Sequence, residues 1–311
     1  MKKMSALEAP VRSQLDGRSD STLKTLLVPS AQKSKSKYHL IGSCDDRGVA
    51  RNGGRRGTRF APQAIEWAFS IMQNNQVRPL GEVSLENLAP KASFEVDQKS
   101  WSEYWCEHFG QFFKSASVHI GGGHDHIYPL IQGLDQALTQ KGDERAISIL
   151  NLDAHLDTRT DSCVHSGTPL RQIANNCSRR VHIIQWGIHD SANSKSTCTP
   201  LPAPHHTTII SLEETKKIVD QVAHILELIK DDHLIISLDS DAIDGASMRA
   251  VSAVNARGLP SEEVFALVIG LAHRANVFGI YEYNPIFEDL SNYGARMLAK
   301  LVLSYFEHAS V

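Results

Sequence analysis

The sequence predicts an α/β fold, a three-layer α/β/α domain with a mostly parallel central sheet, and three observations carry that prediction. Short runs rich in β-branched and aromatic residues alternate with longer segments whose apolar residues recur at helical spacing. No linker interrupts the alternation after residue 37, and no internal repeat is present. The aspartates and histidines with the most chemical potential fall at the ends of strand candidates, where open parallel sheets bind ligands.

Residues 1–37 mix Ser, Lys, Gln and Asp and close on the polar stretch Gln32–Lys37. They are expected to form an N-terminal extension of which only Leu23–Val28 docks. Residues 38–311 then make a single catalytic domain, near the size one hydrophobic core sustains. Its strand candidates are Tyr38–Gly42, Ser117–Ile120, Ala146–Leu152, Val181–Trp186, Thr207–Ile210, His233–Leu238 and Val277–Tyr281. The helix candidates are Pro62–Met72, Trp101–Ser115, Tyr128–Thr139, Glu213–Lys230, Ser261–Ala275 and Gly294–His308. The clearest is Glu213–Lys230, where Ile218, Val219, Val222, Ile225, Leu226 and Ile229 follow the helical period. Such alternation implies strands covered on both faces.

Composition excludes several classes of function. The 32 basic and 35 acidic residues are interspersed, for a formal charge of −3, so there is no basic stripe for a nucleic-acid backbone. No apolar run approaches the roughly 20 residues that span a bilayer, and no signal-peptide pattern opens the chain. The expectation is a soluble, cytoplasmic protein acting on a small molecule, without nucleic-acid or membrane partners. Cys44, Cys106, Cys163, Cys177 and Cys198 are odd in number and contain no Cys-x-x-Cys pair, which argues against a disulfide framework or structural zinc. Cys163 reads as an ordinary free thiol.

Two runs, Asp153-Ala154-His155-Leu156-Asp157 and Asp239-Ser240-Asp241, each end an apolar strand candidate. In an extended chain alternate residues share a face, so Asp153, His155 and Asp157 would project together, as would Asp239 and Asp241. His124 follows a third strand candidate through Gly121-Gly122-Gly123. An isolated Asp-x-Asp is more often a cap or turn, and a glycine run more often a tight turn. Three such patches at strand ends together point to a metal site. Carboxylates and imidazoles without thiolates suit Mn²⁺ and its neighbours. Four clustered aspartates need cations to offset their charge, and two divalent ions would also activate a shared water for hydrolysis.

With Gly122-Gly123-His124, the two aspartate runs and Glu282-Tyr283-Asn284-Pro285 in this order, the chain resembles the arginase/agmatinase/formimidoylglutamase family of binuclear manganese ureohydrolases. The resemblance implies two Mn²⁺ per subunit, one held by His124, Asp153, Asp157 and Asp239 and the other by Asp153, His155, Asp239 and Asp241. It implies homo-oligomers, and it places Glu282 against the cationic amidine or guanidine of the substrate, where a carboxylate orients the planar cation by charge-assisted hydrogen bonds. Asp157 would orient the attacking water and take its proton.

The stretches Asp45–Val49, Arg51–Gly57 and Ser166–Arg171 look like the formimidoylglutamase branch, whose reaction turns N-formimidoyl-L-glutamate and water into L-glutamate and formamide, a step of histidine degradation. Arginases carry a proton-transferring histidine just before a Gly-x-Pro. Here Ser166 holds that place and His165 precedes it, so His165 is a candidate for proton transfer, against the plainer expectation of a solvated loop histidine. Arg159, two residues beyond Asp157, stands where arginases place an asparagine near the amino-acid end of the substrate. An arginine there can bind a carboxylate in bidentate fashion. Ser166, Arg171 and Arg59 are further substrate-contact candidates.

One departure bears on substrate identity. Relatives in this branch usually follow the second aspartate pair with Pro-Gly-Val-Ser-Ala-Pro, but residues 249–254 read Arg-Ala-Val-Ser-Ala-Val. That change removes backbone restraints near the site. Two alternatives therefore stand beside formimidoylglutamase: a hydrolase of another amidino or guanidino compound such as agmatine or a guanidino acid, and a metal-binding relative without turnover.

Overall fold

The computed structural model describes residues 22–74, 79–194 and 200–311. Its strands are β1 (Leu27–Pro29), β2 (Tyr38–Ser43), β3 (Val83–Leu88), β4 (Ala116–Ile120), β5 (Ile147–Leu152), β6 (Val181–Ile188), β7 (His206–Ser211), β8 (His233–Asp239) and β9 (Ala275–Tyr281). They form one sheet in the order β1-β3-β2-β4-β9-β8-β5-β6-β7. Every pairing is parallel. The three-layer fold expected from the sequence is thus present, and its sheet is parallel throughout the described residues.

Alternation along each strand divides the core in two. Ile147 and Ile149 of β5 face one cluster, Leu150 and Leu152 the other. The first is closed by the helices Phe94–Phe112, Ile127–Gln140 and Pro169–Asn176. The second is closed by Ala61–Ser70, Gln221–Ile229, Ser261–Leu271 and Tyr293–His308. Each fully buried Leu or Ile contributes about 1.5–3 kcal/mol relative to exposure, so these layers fix the strand ends from both sides.

The strand order matters most for the site. β8 and β9, late in the chain, insert between β4 and β5, so the four central strand ends belong to segments distant in sequence. His124 follows β4, Glu282 follows β9, Asp239 ends β8, and Asp153 follows β5.

Several elements differ from expectation. The helix predicted over Glu213–Lys230 is two helices, Leu212–Thr215 and Gln221–Ile229. Ser211 and Glu214 close a capping box on the first, and the Asp220 side chain caps the second by accepting the Ala223 N–H at 2.9 Å. Val219, counted with the apolar stripe, is fully exposed in the break. Strand β3 was missed because Glu86 and Asn87 interrupt its apolar pattern, although it lies inside the sheet. The short helices Arg47–Arg51 and Pro169–Asn176 were also missed.

Of the expected extension, residues 1–21 lie outside the described residues, as does Cys198. In residues 22–37, Leu23 is buried, β1 pairs with β3, and the Lys33 ammonium bonds Glu86 at 2.9 Å and the Tyr104 hydroxyl at 2.8 Å. No helix of the described residues is long and apolar enough to cross a membrane.

Candidate metal centre and adjoining cavity

His124 enters the site because the chain leaving β4 passes very close to Asp45. A Cβ on Gly122 would overlap the Asp45 carbonyl oxygen, so only glycine allows that path. The imidazole Nδ1 lies 2.9 Å from Asp157, 3.2 Å from Asp153 and 3.4 Å from Asp239. Its Nε2 meets the Ser237 hydroxyl at 2.9 Å, and its ring stacks on Tyr281 with centroids 5.1 Å apart.

A second grouping adjoins the first. His155 Nδ1 lies 3.2 Å from Asp241 Oδ2 and 3.6 Å from Asp153 Oδ1. Asp153 therefore faces both imidazoles, one oxygen toward each. His124, Asp153, Asp157 and Asp239 form one set of converging donor atoms, and Asp153, His155 and Asp241 form another, all within 4.8 Å of one another in each set. Asp239, which the resemblance assigned to both ions, falls in the first set only; its Oδ1 accepts the Asp241 N–H at 2.9 Å.

The six residues come together, but not by the strand alternation expected of them. β5 ends at Leu152 and β8 at Asp239, so most of the ligands lie beyond the extended backbone. Asp241 sits in the 3-10 turn Ser240–Ala242, and Asp157 has a left-handed φ of 47°. Glu282 is likewise left-handed, with φ 59°. Such backbone costs of order 1–3 kcal/mol per non-glycine residue and is retained mainly where function needs it.

Burial and the clustered carboxylates make opposing demands on the titratable groups of the cluster. Burial would lower the His124 pKa, but hydrogen bonds to Asp153, Asp157 and Asp239 outweigh it and hold the imidazole well above its ordinary value. The same contest, with Asp153 and Asp241 as partners, pushes His155 up to about 12. Burial and neighbouring carboxylates raise Asp157, Asp239 and Glu282, and bring Asp241 to about 6. Asp241 Oδ1 is buried with no hydrogen-bond partner. Four carboxylates, two imidazoles, no thiolate and an unsatisfied acceptor together fit hard or borderline divalent ions.

A cavity of about 360 Å³ opens on the cluster. His155, Asp157, Asp239, Asp241 and Glu282 line its inner end, and Arg159, Ser166, Asn52 and Ser252 line its sides. One Glu282 oxygen accepts the His124 backbone N–H at 3.1 Å. Arg159 donates to Asn52 Oδ1, while Asn52 Nδ2 donates to the Ser166 hydroxyl at 3.0 Å. Asn52 and Ser252 were not singled out from sequence. The only signal was that Asn52 belongs to the Arg51–Gly57 stretch, whose glycines mark a loop without saying which way its side chains turn.

Three sequence-derived candidates are corrected. His165 is neither solvated nor on the cavity: it is buried, its Nε2 lies 2.8 Å from Asp161, and its Nδ1 accepts the Gly167 N–H at 3.0 Å. Both ring nitrogens have partners within the loop, and His165 does not line the cavity. Arg171 is buried and donates to the Thr158 and Pro200 carbonyls at 3.2 and 2.9 Å, joining two loops instead of facing substrate. Arg59 lies off the cavity beside Phe60 and Asp46. Cys163 is an exposed free thiol, as expected.

Fold and site together define a parallel three-layer α/β/α protein with adjoining carboxylate–imidazole ligand sets at its central strand ends. The chain belongs to the arginase family, whose model matches residues 36–307. It is 30% identical over 283 residues to the formimidoylglutamase of Salmonella agona, covering 88% of this chain and 85% of that one. The crystal structure of formimidoylglutamase from Bacillus subtilis superposes with a TM-score of 0.78 at 18% identity, covering 93% of this chain and 92% of that one. Trypanosoma cruzi formiminoglutamase, solved with Mn²⁺, superposes with a TM-score of 0.73 at 22% identity, covering 88% of this chain and 93% of that one. These two structures share the fold.

Proposed function

We propose that the protein hydrolyses N-formimidoyl-L-glutamate to L-glutamate and formamide, using two Mn²⁺ ions. One observation supports the reading above others: a single cavity is lined by a buried carboxylate suited to an amidinium, Glu282, by a guanidinium suited to a carboxylate, Arg159, and by members of both ligand sets. The name shared by relatives such as the Salmonella agona protein supports it, as does the Mn²⁺ of the Trypanosoma cruzi enzyme.

His124, Asp153, Asp157 and Asp239 would hold one ion, and Asp153, His155 and Asp241 the other. When bound, the pair supplies Lewis-acid activation of water near neutral pH. Every other role falls to the chain. Glu282, fixed through one oxygen on the His124 N–H, orients the amidinium. Arg159 and Ser166 position the amino-acid end. Water adds to the formimidoyl carbon, the C–N bond to the glutamate nitrogen breaks, and the two water protons end on the two nitrogens. Asp157, on the cavity and raised in pKa by desolvation and by Asp153, would accept and return a proton.

A second reading has an observation of its own. Arg159 is the only lysine or arginine lining the cavity among the described residues, so a guanidino acid with one carboxylate would also be matched. Product analysis by NMR on Mn²⁺-loaded protein decides. Formamide from N-formimidoyl-L-glutamate, with no urea from arginine or agmatine, is expected. Urea from a guanidino acid with no formamide would replace the first reading with the second, and tight binding without product would mark a relative without turnover. R159Q should raise KM by about 10–100-fold and change kcat less, since a charged hydrogen bond is worth about 1.5–3 kcal/mol.

A further inference from the structure

The two imidazoles of the cluster are held in different ways. The His124 ring has a partner of its own, the Ser237 hydroxyl on Nε2, and it stacks on Tyr281. The His155 side chain is about one-third exposed, and among the described residues no hydrogen bond reaches its Nε2. Metal-ligating histidines almost always fix their ring through the second nitrogen. No protein group among the described residues does this for His155.

The backbone on either side of it is held. Asn193, just beyond the turn Asp190–Ala192 that follows β6, accepts the Leu156 N–H on Oδ1 at 2.9 Å. Its Nδ2 donates to the Ala154 carbonyl at 2.9 Å and to the His189 carbonyl at 2.8 Å. One side chain thus grips both residues that flank His155. Its orientation is set by chemistry, because an N–H can only meet the amide oxygen and a carbonyl can only meet the amide nitrogen.

Gln185 extends the grip, donating to the Leu156 carbonyl at 2.8 Å and accepting Asn151 Nδ2 at 3.0 Å, while the same Nδ2 lies 3.2 Å from Asp153 Oδ2. Past the end of β5 these carboxamides supplement the sheet ladder, which continues in the bonds from the Asp153 N–H to the Trp186 carbonyl and from the His189 N–H to the Ala154 carbonyl, both at 3.1 Å.

Resting on the two-cation reading above, we propose that Asn193 is a positioning residue for the ion held by Asp153, His155 and Asp241, acting through the backbone around His155, and that the ion held by the His124 set does not depend on it. Loss of an outer-sphere contact of this kind typically costs about 10–100-fold in metal affinity.

The test is Mn²⁺ titration of the chelator-stripped full chain, following free Mn²⁺ by EPR, with thermal unfolding as a check on folding. Wild type should bind two ions. N193A should weaken one class of site by about 10–100-fold and leave the other within about threefold. N193D, measured as well and in its place should N193A not fold, separates position from charge. Its carboxylate adds attraction for a cation but faces two carbonyl oxygens, so positioning predicts weaker binding and simple electrostatics predicts tighter binding. In an H155A background, which lacks that ligand, N193A should change nothing further. Equal weakening of both sites, no weakening, tighter binding by N193D, or further loss in H155A would each overturn the proposal while leaving two bound ions in wild type. Fewer than two ions in wild type would overturn the two-cation reading and this proposal with it.

Discussion

Two groups of histidines sit on opposite terms, one buried beside hydroxyls and one beside the clustered carboxylates. His39, His108 and His119 are as buried as His124, yet their partners are hydroxyls: Ser84 at 2.6 Å, Ser117 at 2.8 Å, and Ser43 with Tyr281 at 3.0 and 3.1 Å. Burial pushes these three imidazoles down, His39 to about 4. His124 and His155, facing carboxylates, are pushed up. Tyr281 touches both groups, its hydroxyl on His119 and its ring on His124. Desolvation alone makes an imidazole neutral; the single carboxylate 3.1 Å from His233 does not reverse that, whereas the two or three carboxylates around His155 and His124 do. The first group is packing; the second is the one that, on the two-cation reading proposed above, would exchange protons for cations.

Removing a carboxylate should strike only the second group. D153A, which removes the aspartate facing both imidazoles, should cut turnover by on the order of 10³-fold or more, since it forfeits several kcal/mol of charge stabilisation. Retained activity would remove Asp153 from the site.

Saturating Mn²⁺ should stabilise wild type by about 4 kcal/mol at 1,000 times Kd, seen as a rise in Tm that a chelator reverses and D153A abolishes. H119F tests the other side. It leaves the Ser43 and Tyr281 hydroxyls unpaired in the core and should cost about 1–3 kcal/mol in urea unfolding, with two Mn²⁺ still bound. Loss of metal in H119F would erase the distinction between the groups.

The sequence made the second group legible and the first invisible. Asp153–Asp157 and Asp239–Asp241 stand out because acid and imidazole patches recur at several apolar strand ends, and the alternation of elements placed those ends at one edge of a parallel sheet. Which atoms meet was not legible. The extended-strand argument grouped Asp153, His155 and Asp157, whereas the left-handed turn at Asp157 and the 3-10 turn at Ser240 regroup them with His124 and Asp241. Such turns depend on tertiary contacts, among them Asn193 on the segment around His155. The placement of His165 was illegible for a related reason: adjacency to Ser166 says nothing of ring direction, and its neighbours Asp161 and Gly167 meet both nitrogens.

The smallest expected effect concerns pH, and its sign separates the groups. An imidazole whose folded pKa lies below the unfolded value of about 6.5 binds fewer protons when folded. As pH falls from 6.5 toward 4 the unfolded chain takes up the proton first, so stability is lost through that window; above 6.5 the group contributes no slope. For His39 the causes are burial, then the nearby Lys33 ammonium, partly countered by Glu86. Its Nε2 is buried without a partner, so a second proton there would find no acceptor. Urea midpoints of the chelator-stripped protein at pH 7, 6 and 5 should fall for wild type. H39Q, which cannot titrate, should show a shallower fall, by at most about 1.4 kcal/mol per pH unit. Parallel curves for the two proteins would mean that His39 carries its proton in the folded state, and the contrast between hydroxyl-paired and carboxylate-paired imidazoles would fail at that residue.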